Sequence, residues 1–278
     1  MKALYDQTCR ECASLITRRY STSFSMGIRA FGRSLRPPIY AIYGYVRFAD
    51  EIVDTFHDQD QAALLERFRT ETWQAIDEGI SLNPVLHAFQ EVVNTYHMDR
   101  HLIDAFLDSM AMDLDQDRHG RKSFNEYIYG SAEVVGLMCL TVFVGGDSAE
   151  YARLAPAARR LGAAFQKVNF LRDMQSDFEE RGRIYFPGVD FTKFSQSDKE
   201  RIEQEVEEDF QAALEGILQL PDAARFGVFL AYRFYTKLFE KIRKSSPEQV
   251  KSHRIRVPNW RKAMLVCGTF VQSRFRLI

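Results

Sequence analysis

Two pairs of aspartates, each with a spacing of four residues, are the chemically most informative feature of the sequence. The first pair, Asp50 and Asp54, lies in the mostly apolar stretch VRFADEIVDTF, residues 46–56. A helix places both on one face together with Tyr43 and Arg47. Its other sides are apolar, as in a helix enclosed by others, so this polar row is predicted to face a cavity. Because neighbouring carboxylates repel and unpaired buried charge is unfavourable, a cation is expected beside them.

The second pair, Asp173 and Asp177, follows Gln166 and Asn169 on one side of another predicted helix. All four side chains offer oxygen atoms, which suit Mg²⁺ and also Mn²⁺. Mg²⁺ commonly binds through one or two carboxylates together with substrate phosphates. The two rows are therefore predicted to form opposing walls of one cavity.

Three arginines lie close to the aspartates in sequence, namely Arg47, Arg172 and Arg183. A guanidinium group can bind diphosphate oxygens through two parallel hydrogen bonds, so each is a candidate diphosphate ligand. The alternative for each of them is a plain ion pair with an aspartate.

Composition limits the class of protein. A chain of 278 residues with 46% hydrophobic residues can bury a large core, and its net charge of −1 gives no reason to expect nucleic acid as a partner. Four scattered cysteines, with a single CxxC, indicate ordinary thiols of a reducing cytosol. Without a signal core or a run of about 18 apolar residues, a cytoplasmic protein is expected. Nine Lys and Arg against two Glu in residues 237–262 leave peripheral contact with an anionic membrane open.

Apolar residues recur at spacings of three and four along nearly every long segment, which predicts an all-α fold. The predicted helices cover residues 3–20, 37–56, 60–79, 84–97, 99–115, 123–144, 149–179, 197–218, 222–244 and 258–275. The one long irregular segment, 182–198, does not resemble a linker. Residues 1–278 are therefore predicted to form a single helical domain.

With these segments in view, the sequence resembles the squalene/phytoene synthase family. The matching pieces are STSF (21–24), YAIYGYVRFADEIVD (40–54), YIYGSAEVVGLM (127–138) and QKVNFLRDMQSDFEERGRIYFP (166–187). The resemblance implies a class I isoprenoid synthase fold, with helices around a central apolar cavity. It also implies Mg²⁺-dependent condensation of two identical allylic isoprenyl diphosphates.

The resemblance further implies roles for individual residues. The implied metal ligands are Asp50, Asp54, Asn169, Asp173 and Asp177. The implied substrate contacts are Ser21, Ser23, Tyr43, Arg47, Gln166, Asn169, Arg172 and Arg183. Tyr129 stands at the position associated with guiding the cationic intermediate, and it joins Arg47 and Arg172 as a candidate catalytic residue.

Two features depart from the family pattern. Glu133 replaces the small residue that many relatives carry in the helix after Tyr129. Members often place a tyrosine before their final basic stretch, whereas residues 243–262 read RKSSPEQVKSHRIRVPNWRK. No diphosphate contact is therefore assigned in that segment.

Motifs such as GSAEVVGLM and RGRIYFP are most similar to the bacterial phytoene synthase branch, which joins two geranylgeranyl diphosphates through a cyclopropyl diphosphate in carotenoid biosynthesis. One alternative is squalene or dehydrosqualene synthesis from two farnesyl diphosphates, in which only squalene needs NADPH. A non-catalytic helical scaffold would use the rows as buried salt bridges, but their carboxylates and amides outnumber the nearby cations. A di-iron bundle would need Glu-x-x-His on two helices, which the sequence lacks.

Overall fold

The computed structural model describes residues 1–115, 121–181 and 185–255, and within these ranges it contains helices and no strand. The α-helices are α1 (Lys2–Tyr20), α2 (Thr22–Arg29), α3 (Arg36–Asp54), α4 (Gln61–Glu78), α5 (Pro84–Tyr96), α6 (Arg100–Asp115), α7 (Arg121–Ile128), α8 (Val134–Phe143), α9 (Ser148–Arg181), α10 (Gln196–Leu218), α11 (Asp222–Arg243) and α12 (Pro247–Ser252). Short 3₁₀ turns cover Arg33–Leu35 and Phe191–Lys193, and a π-helical turn covers Tyr129–Glu133.

The all-α prediction is confirmed, and most predicted helices agree with the observed ones to within a few residues. The short helices α2 and α12 were not predicted. The predicted helix 123–144 is observed as α7 and α8 joined by the π-helical turn. The predicted helix 258–275 lies outside the described residues, and the single domain stays a prediction.

Local sequence signals explain where several helices begin and end. Pro37 and Pro38 occupy the first turn of α3, where a missing N–H breaks no helical hydrogen bond. Asp60 caps α4 by accepting a hydrogen bond of 3.0 Å from the backbone of Ala63. The same helix ends at Gly79, whose φ of 67° is unfavourable for other residues.

The core consists of two apolar clusters. The first joins α1, α3, α5, α6 and α8, and at its centre Tyr45 stacks on Phe89 with ring centroids 3.8 Å apart. The second joins α7, α9, α10 and α11 around Phe170 and Phe210. The helix α9 borders both clusters, so its polar side chains are held at their junction.

The π-helical turn Tyr129–Glu133 is clamped between α6 and α9 by two glycines. A Cβ at Gly130 would lie 2.4 Å from the carbonyl oxygen of Ala105 on α6. A Cβ at Gly162 on α9 would lie 2.6 Å from the carbonyl oxygen of Ala132 in the turn. Only glycine permits this approach of three backbones, which fixes the turn that carries Tyr129.

The stretch Ser123–Phe143 is long and apolar enough to cross a membrane, by length and composition alone. Half of it is buried inside the protein, where it packs against α6 and α9. It therefore behaves as a core helix of this fold.

Candidate active site

The first aspartate row lies on α3 as predicted. The apolar residues around it, including Ile39, Ile42 and Val53, are buried, which confirms that other helices enclose α3. The members of the row are intermediate in exposure: Tyr43, Arg47, Asp50 and Asp54. The polar row is therefore only partly covered by the helices around α3.

Arg47 is held in place by a carboxylate that the sequence analysis did not consider. Its guanidinium donates to Glu51, and its Nη1 lies 3.9 Å from Oδ2 of Asp50. It also sits over the ring of Tyr20 at 4.5 Å from the centroid. These contacts orient a cation at the edge of the row, where a diphosphate could reach it.

Asp50 has the most perturbed carboxyl group of this row. Burial raises its pKa to about 7, Arg47 opposes the rise, and the negative charges of Asp54, Asp113 and Glu51 add to it. The side chain keeps 32% of its exposed area, so it is only partly covered by the surrounding packing. A cation bound beside Asp50 would favour its ionised form, as the sequence-based prediction of a cation at this row requires.

The second row lies on α9. Gln166 donates to the hydroxyl of Ser131 at 3.5 Å, and Oδ1 of Asn169 accepts a hydrogen bond of 3.2 Å from Tyr235. Asp177 is buried, and it lines a small cleft together with Phe170, Met174, Tyr185, Phe186, Val189 and Phe191. Amide and carboxylate oxygens thus follow one side of α9 toward its C-terminal end.

Asp173 in this row is paired with two arginines. Nε of Arg172 lies 3.0 Å from Oδ1 of Asp173, and Nε of Arg254 lies 2.7 Å from the same oxygen. Arg254 belongs to the C-terminal segment to which no contact was assigned, so that part of the sequence analysis missed a site residue.

Tyr235 on α11 connects the two rows. Its hydroxyl donates to Asn169 in the second row, and its ring stacks on Phe165 at 3.9 Å. It also interacts electrostatically with Tyr43 in the first row and with Arg172. Both rows therefore border the same region. The sequence analysis missed Tyr235, which lies a few residues before the segment in which a family tyrosine was sought.

Tyr43 of the first row has Phe24 and Ser21 as neighbours. The ring of Tyr43 stacks on Phe24 at 4.7 Å. Burial raises the pKa of Tyr43, whereas a hydrogen bond with Ser21 lowers it. The predicted neighbours Ser21, Tyr43 and Arg47 are thus brought together.

Tyr129 lies near a different part of α9 from Asp173. The guanidinium of Arg159 on α9 sits 5.1 Å from its ring centroid, and Glu133 accepts a hydrogen bond of 2.6 Å from Arg159. Fourteen residues separate Arg159 from Asp173 on α9, which at 1.5 Å per residue is about 21 Å. Tyr129 therefore lies beside a part of α9 well away from Asp173, and its role with the cationic intermediate stays a prediction.

Two predicted contacts have no described geometry. Arg183 and the side chain of Ser23 lie outside the part of the chain that the structure describes.

The donors of the two rows fit a hard divalent cation. Asp50, Asp54, Asn169, Asp173 and Asp177 offer oxygen ligands, and a cation would stabilise the ionised form of Asp50, which burial and then the neighbouring carboxylates disfavour. Within the described ranges, no group of three Asp, Glu, His or Cys side chains converges as a closed metal centre would require. The rows therefore supply pairs of ligands, and phosphate oxygens would complete the coordination.

A model of the squalene/phytoene synthase family matches residues 17–261. The chain belongs to this family. As a squalene/phytoene synthase family member it is a transferase of the prenyltransferase type. The family resemblance deduced from the motifs is thereby confirmed.

Relatives of known function cover nearly the whole chain. The phytoene synthase of Arthrospira platensis is 28% identical over 98% of this chain and 94% of its own length. The 15-cis-phytoene synthase of Synechococcus elongatus is 27% identical over 94% of this chain and 91% of its own length.

Solved structures agree with the fold. A dehydrosqualene synthase structure superposes with a TM-score of 0.83, at 22% identity and 98% coverage of both chains. A squalene synthase from Alicyclobacillus acidocaldarius superposes with a TM-score of 0.77, at 20% identity, over 87% of this chain and 95% of its own. The fold is the class I isoprenoid synthase fold.

Proposed function

We propose that the protein is a phytoene synthase that condenses two geranylgeranyl diphosphates head to head in carotenoid biosynthesis. The observation that carries the proposal is the pair of oxygen-rich rows around Tyr235, each with an arginine beside its aspartates. The cyanobacterial relatives named above, which are phytoene synthases, support this choice of product.

The reaction begins with cleavage of an allylic C–O bond, in which negative charge develops on the departing diphosphate. Asp50, Asp54, Asn169, Asp173 and Asp177 would hold Mg²⁺, or Mn²⁺ in its place. When bound, the metal neutralises the diphosphate charge and so favours ionisation. Arg47 and Arg172 would add hydrogen bonds to the same oxygens, and these bonds would strengthen as the charge develops.

The allylic cation then adds to the double bond of the second substrate. Loss of one proton closes a cyclopropane ring and gives the cyclopropyl diphosphate. A second C–O cleavage releases the second diphosphate, and rearrangement with loss of another proton gives the linear hydrocarbon. The protein must exclude water from these cations, and the aromatic residues beside the rows, such as Phe165, Phe170 and Tyr235, contribute to an apolar wall.

Squalene or dehydrosqualene synthesis from two farnesyl diphosphates is the second candidate. The superposed structures carry these names, but at 20–22% identity they inform on the fold alone. Squalene, unlike the other two products, requires hydride from NADPH.

The test is incubation of the purified protein with Mg²⁺ and either C15 or C20 diphosphate, with and without NADPH, followed by mass analysis of the extracted hydrocarbon. We expect a C40 product from the C20 substrate that does not depend on NADPH. A C30 product alone would support the second candidate function, squalene or dehydrosqualene synthesis, instead. Absence of any hydrocarbon product from protein shown to be folded would contradict the proposal.

We also propose that the protein is cytoplasmic and contacts an anionic membrane peripherally, since its product is insoluble in water. Lys237, Lys241, Lys244 and Lys251 are basic residues of the described part of the C-terminal region. Flotation with vesicles tests this: protein should float with phosphatidylglycerol vesicles and remain below with phosphatidylcholine vesicles. Equal recovery in both would refute membrane contact through charge.

A further inference from the structure

A purely cationic stretch of the sequence precedes the first aspartate row. Residues 12–49 contain six arginines and no Lys, Asp or Glu, whereas the whole chain has 37 basic and 38 acidic residues. The positive charge of this stretch is therefore not offset by acidic residues close in sequence. A local excess of arginine on a chain with a net charge of −1 indicates a surface for an anionic partner.

Three large apolar side chains are exposed in the same stretch, where α1 ends and α2 begins. Tyr20 is 50% exposed, Phe24 41% and Met26 36%. Exposed arginines stand beside them in the last turn of each helix. Together these residues form the α1–α2 corner: Arg18, Arg19, Tyr20, Phe24, Met26 and Arg29.

The two helices of the α1–α2 corner are in contact with each other. The hydroxyl of Ser25 on α2 donates to the carbonyl oxygen of Thr17 on α1 at 3.3 Å, and both residues are buried. Ser21 between the helices has an extended backbone and caps α2 by accepting a hydrogen bond from the backbone of Phe24. The exposed side chains of the corner are therefore carried by one ordered unit.

The α1–α2 corner borders the first aspartate row. The guanidinium of Arg47 lies 4.5 Å from the ring centroid of Tyr20, and the ring of Phe24 stacks on Tyr43 at 4.7 Å. Tyr43 and Arg47 are about one turn apart on α3, so the rings of Tyr20 and Phe24 are neighbours. An exposed aromatic surface thus lies directly beside the row.

The arginines of the α1–α2 corner are available to an anionic partner. Within residues 1–115, 121–181 and 185–255, no ion pair involves Arg18, Arg19 or Arg29. Asp222 on α11, against which α2 packs, lies 2.8 Å from Arg225 and is thereby paired outside the corner.

We propose that the α1–α2 corner is the face that docks on an anionic lipid bilayer. Its aromatic and apolar side chains enter the headgroup region, and its arginines bind lipid phosphates, as in other surfaces that combine exposed aromatic and basic residues. This inference rests on the membrane contact proposed above and assigns it a surface beside the first row. Docking here brings the row next to the bilayer, which accommodates the apolar chains of substrate and product.

The test is flotation of the full-length protein with phosphatidylglycerol vesicles, comparing wild type with Arg18→Gln/Arg29→Gln. Both side chains are exposed, and neither is assigned to the active site, so kcat/KM in detergent micelles should stay within twofold of wild type. We expect the partition coefficient to fall about twentyfold, since each basic residue at an anionic surface contributes about fivefold. A partition coefficient within twofold of wild type would overturn the proposal.

Arg67→Gln/Arg201→Gln is the matched control. It removes the same net charge from two exposed positions on α4 and α10. Its partition coefficient should stay within threefold of wild type. An equal loss in this control would show that net charge, and not the α1–α2 corner, determines binding, and would refute the proposal.

Met26→Ser tests the apolar part of the α1–α2 corner without changing its charge. We expect its partition coefficient to fall about threefold, by the same ratio at low and at high ionic strength, because salt screens charge but not apolar burial. A partition coefficient equal to that of wild type at both ionic strengths would contradict entry of the corner into the headgroup region.

Light scattering of the same variants tests a different occupant. A dimer that Met26→Ser dissociates while its vesicle binding stays unchanged would identify a second copy of the chain as the partner and overturn the proposal. We expect no change in oligomeric state between wild type and Met26→Ser.

Wild type and variant together distinguish the possible failures. If wild type does not float with phosphatidylglycerol vesicles, the membrane contact proposed above falls together with this inference. If wild type floats and Arg18→Gln/Arg29→Gln floats equally well, only the assignment to the α1–α2 corner falls. Hydrocarbon formation in detergent micelles tests the proposed catalytic function independently of both.

Discussion

The aspartates of the two rows have different charged neighbours. In the first row, Asp50 is surrounded by the negative charges of Asp54, Asp113 and Glu51, against which Arg47 acts. In the second row, Asp173 is already bonded to Arg172 and Arg254. The first row is therefore prepared to receive a cation. In the second row, Arg172 and Arg254 must move away from Asp173 before this carboxylate can bind a metal.

This difference suggests that the two rows bind metal at different stages. A cation entering the first row relieves repulsion that is present beforehand, so it needs no anion to accompany it. Arginines displaced from Asp173 would become donors for the diphosphate that arrives with further metal. The second row is thus expected to assemble with the substrate, the first row before it.

The largest expected effect is a difference in Mg²⁺ affinity between variants of the two rows when diphosphate is absent. Asp50→Asn should abolish detectable Mg²⁺ binding in this condition, whereas Asp173→Asn should retain it within about threefold. Both Asp50→Ala and Asp173→Ala should lower kcat/KM by at least about a thousandfold, because both rows are needed once the diphosphate is bound. Isothermal titration and product assays measure the two parts. An equal loss of Mg²⁺ affinity in Asp50→Asn and Asp173→Asn, measured without diphosphate, would contradict the difference between the two rows.

A smaller effect is expected from Arg254→Gln. Removing one of two cations from Asp173 should free the carboxylate for metal but withdraw a donor from the diphosphate, so KM should rise about tenfold with little change in Mg²⁺ affinity. Steady-state kinetics at saturating Mg²⁺ measures this. Lys251→Gln, at another basic residue of the same segment, is the matched control and should behave like wild type. A fall in Mg²⁺ affinity in Arg254→Gln would show that Arg254 supports the metal instead.

Tyr235→Phe tests the link between the rows. It removes the hydrogen bond to Asn169 but keeps the ring on Phe165, so kcat/KM should fall about fivefold while the melting temperature stays unchanged. Tyr232→Phe on the same helix is the matched control. Unchanged kinetics in Tyr235→Phe would mean that the hydroxyl does not orient Asn169.

The smallest effect concerns stability and pH. The pKa of Asp50 is raised from 3.8 to about 7, so between these values the folded protein binds more protons than the unfolded chain. Stability from this group is therefore present at low pH and lost as pH rises through about 7. Without metal, Asp50→Asn should melt about 2 to 4 °C above wild type at pH 8, with the difference shrinking toward pH 5. Solvent at the partly exposed side chain keeps the effect small. A difference independent of pH would contradict the assigned cause.

The fold and the two rows could be predicted because their signals are local. The spacing of Asp50 and Asp54 and the apolar residues around them follow helical geometry, which the sequence displays directly. The π-helical turn at Tyr129 could not be foreseen, since it depends on the contacts of Gly130 and Gly162 with neighbouring backbones.

Contacts between distant segments account for what else was missed. Tyr235 and Arg254 reach α9 because of how α11 and the C-terminal segment pack, and no local spacing connects them to Asn169 or Asp173. Glu133 was recognised as unusual, but its partner Arg159 lies 26 residues away on another helix. Pairing across helices is set by tertiary packing and cannot be read from periodicity.

The central claim is that both rows serve one cluster of metal and diphosphate. Its most direct test is a crystal structure with Mn²⁺ and a non-reactive geranylgeranyl thiodiphosphate, in which anomalous scattering locates the metal. We expect Mn²⁺ at Asp50 and Asp54 and at Asn169, Asp173 and Asp177, joined by the oxygens of a shared diphosphate. Metal at one row alone, or two metal sites without a bridging diphosphate, would contradict the account.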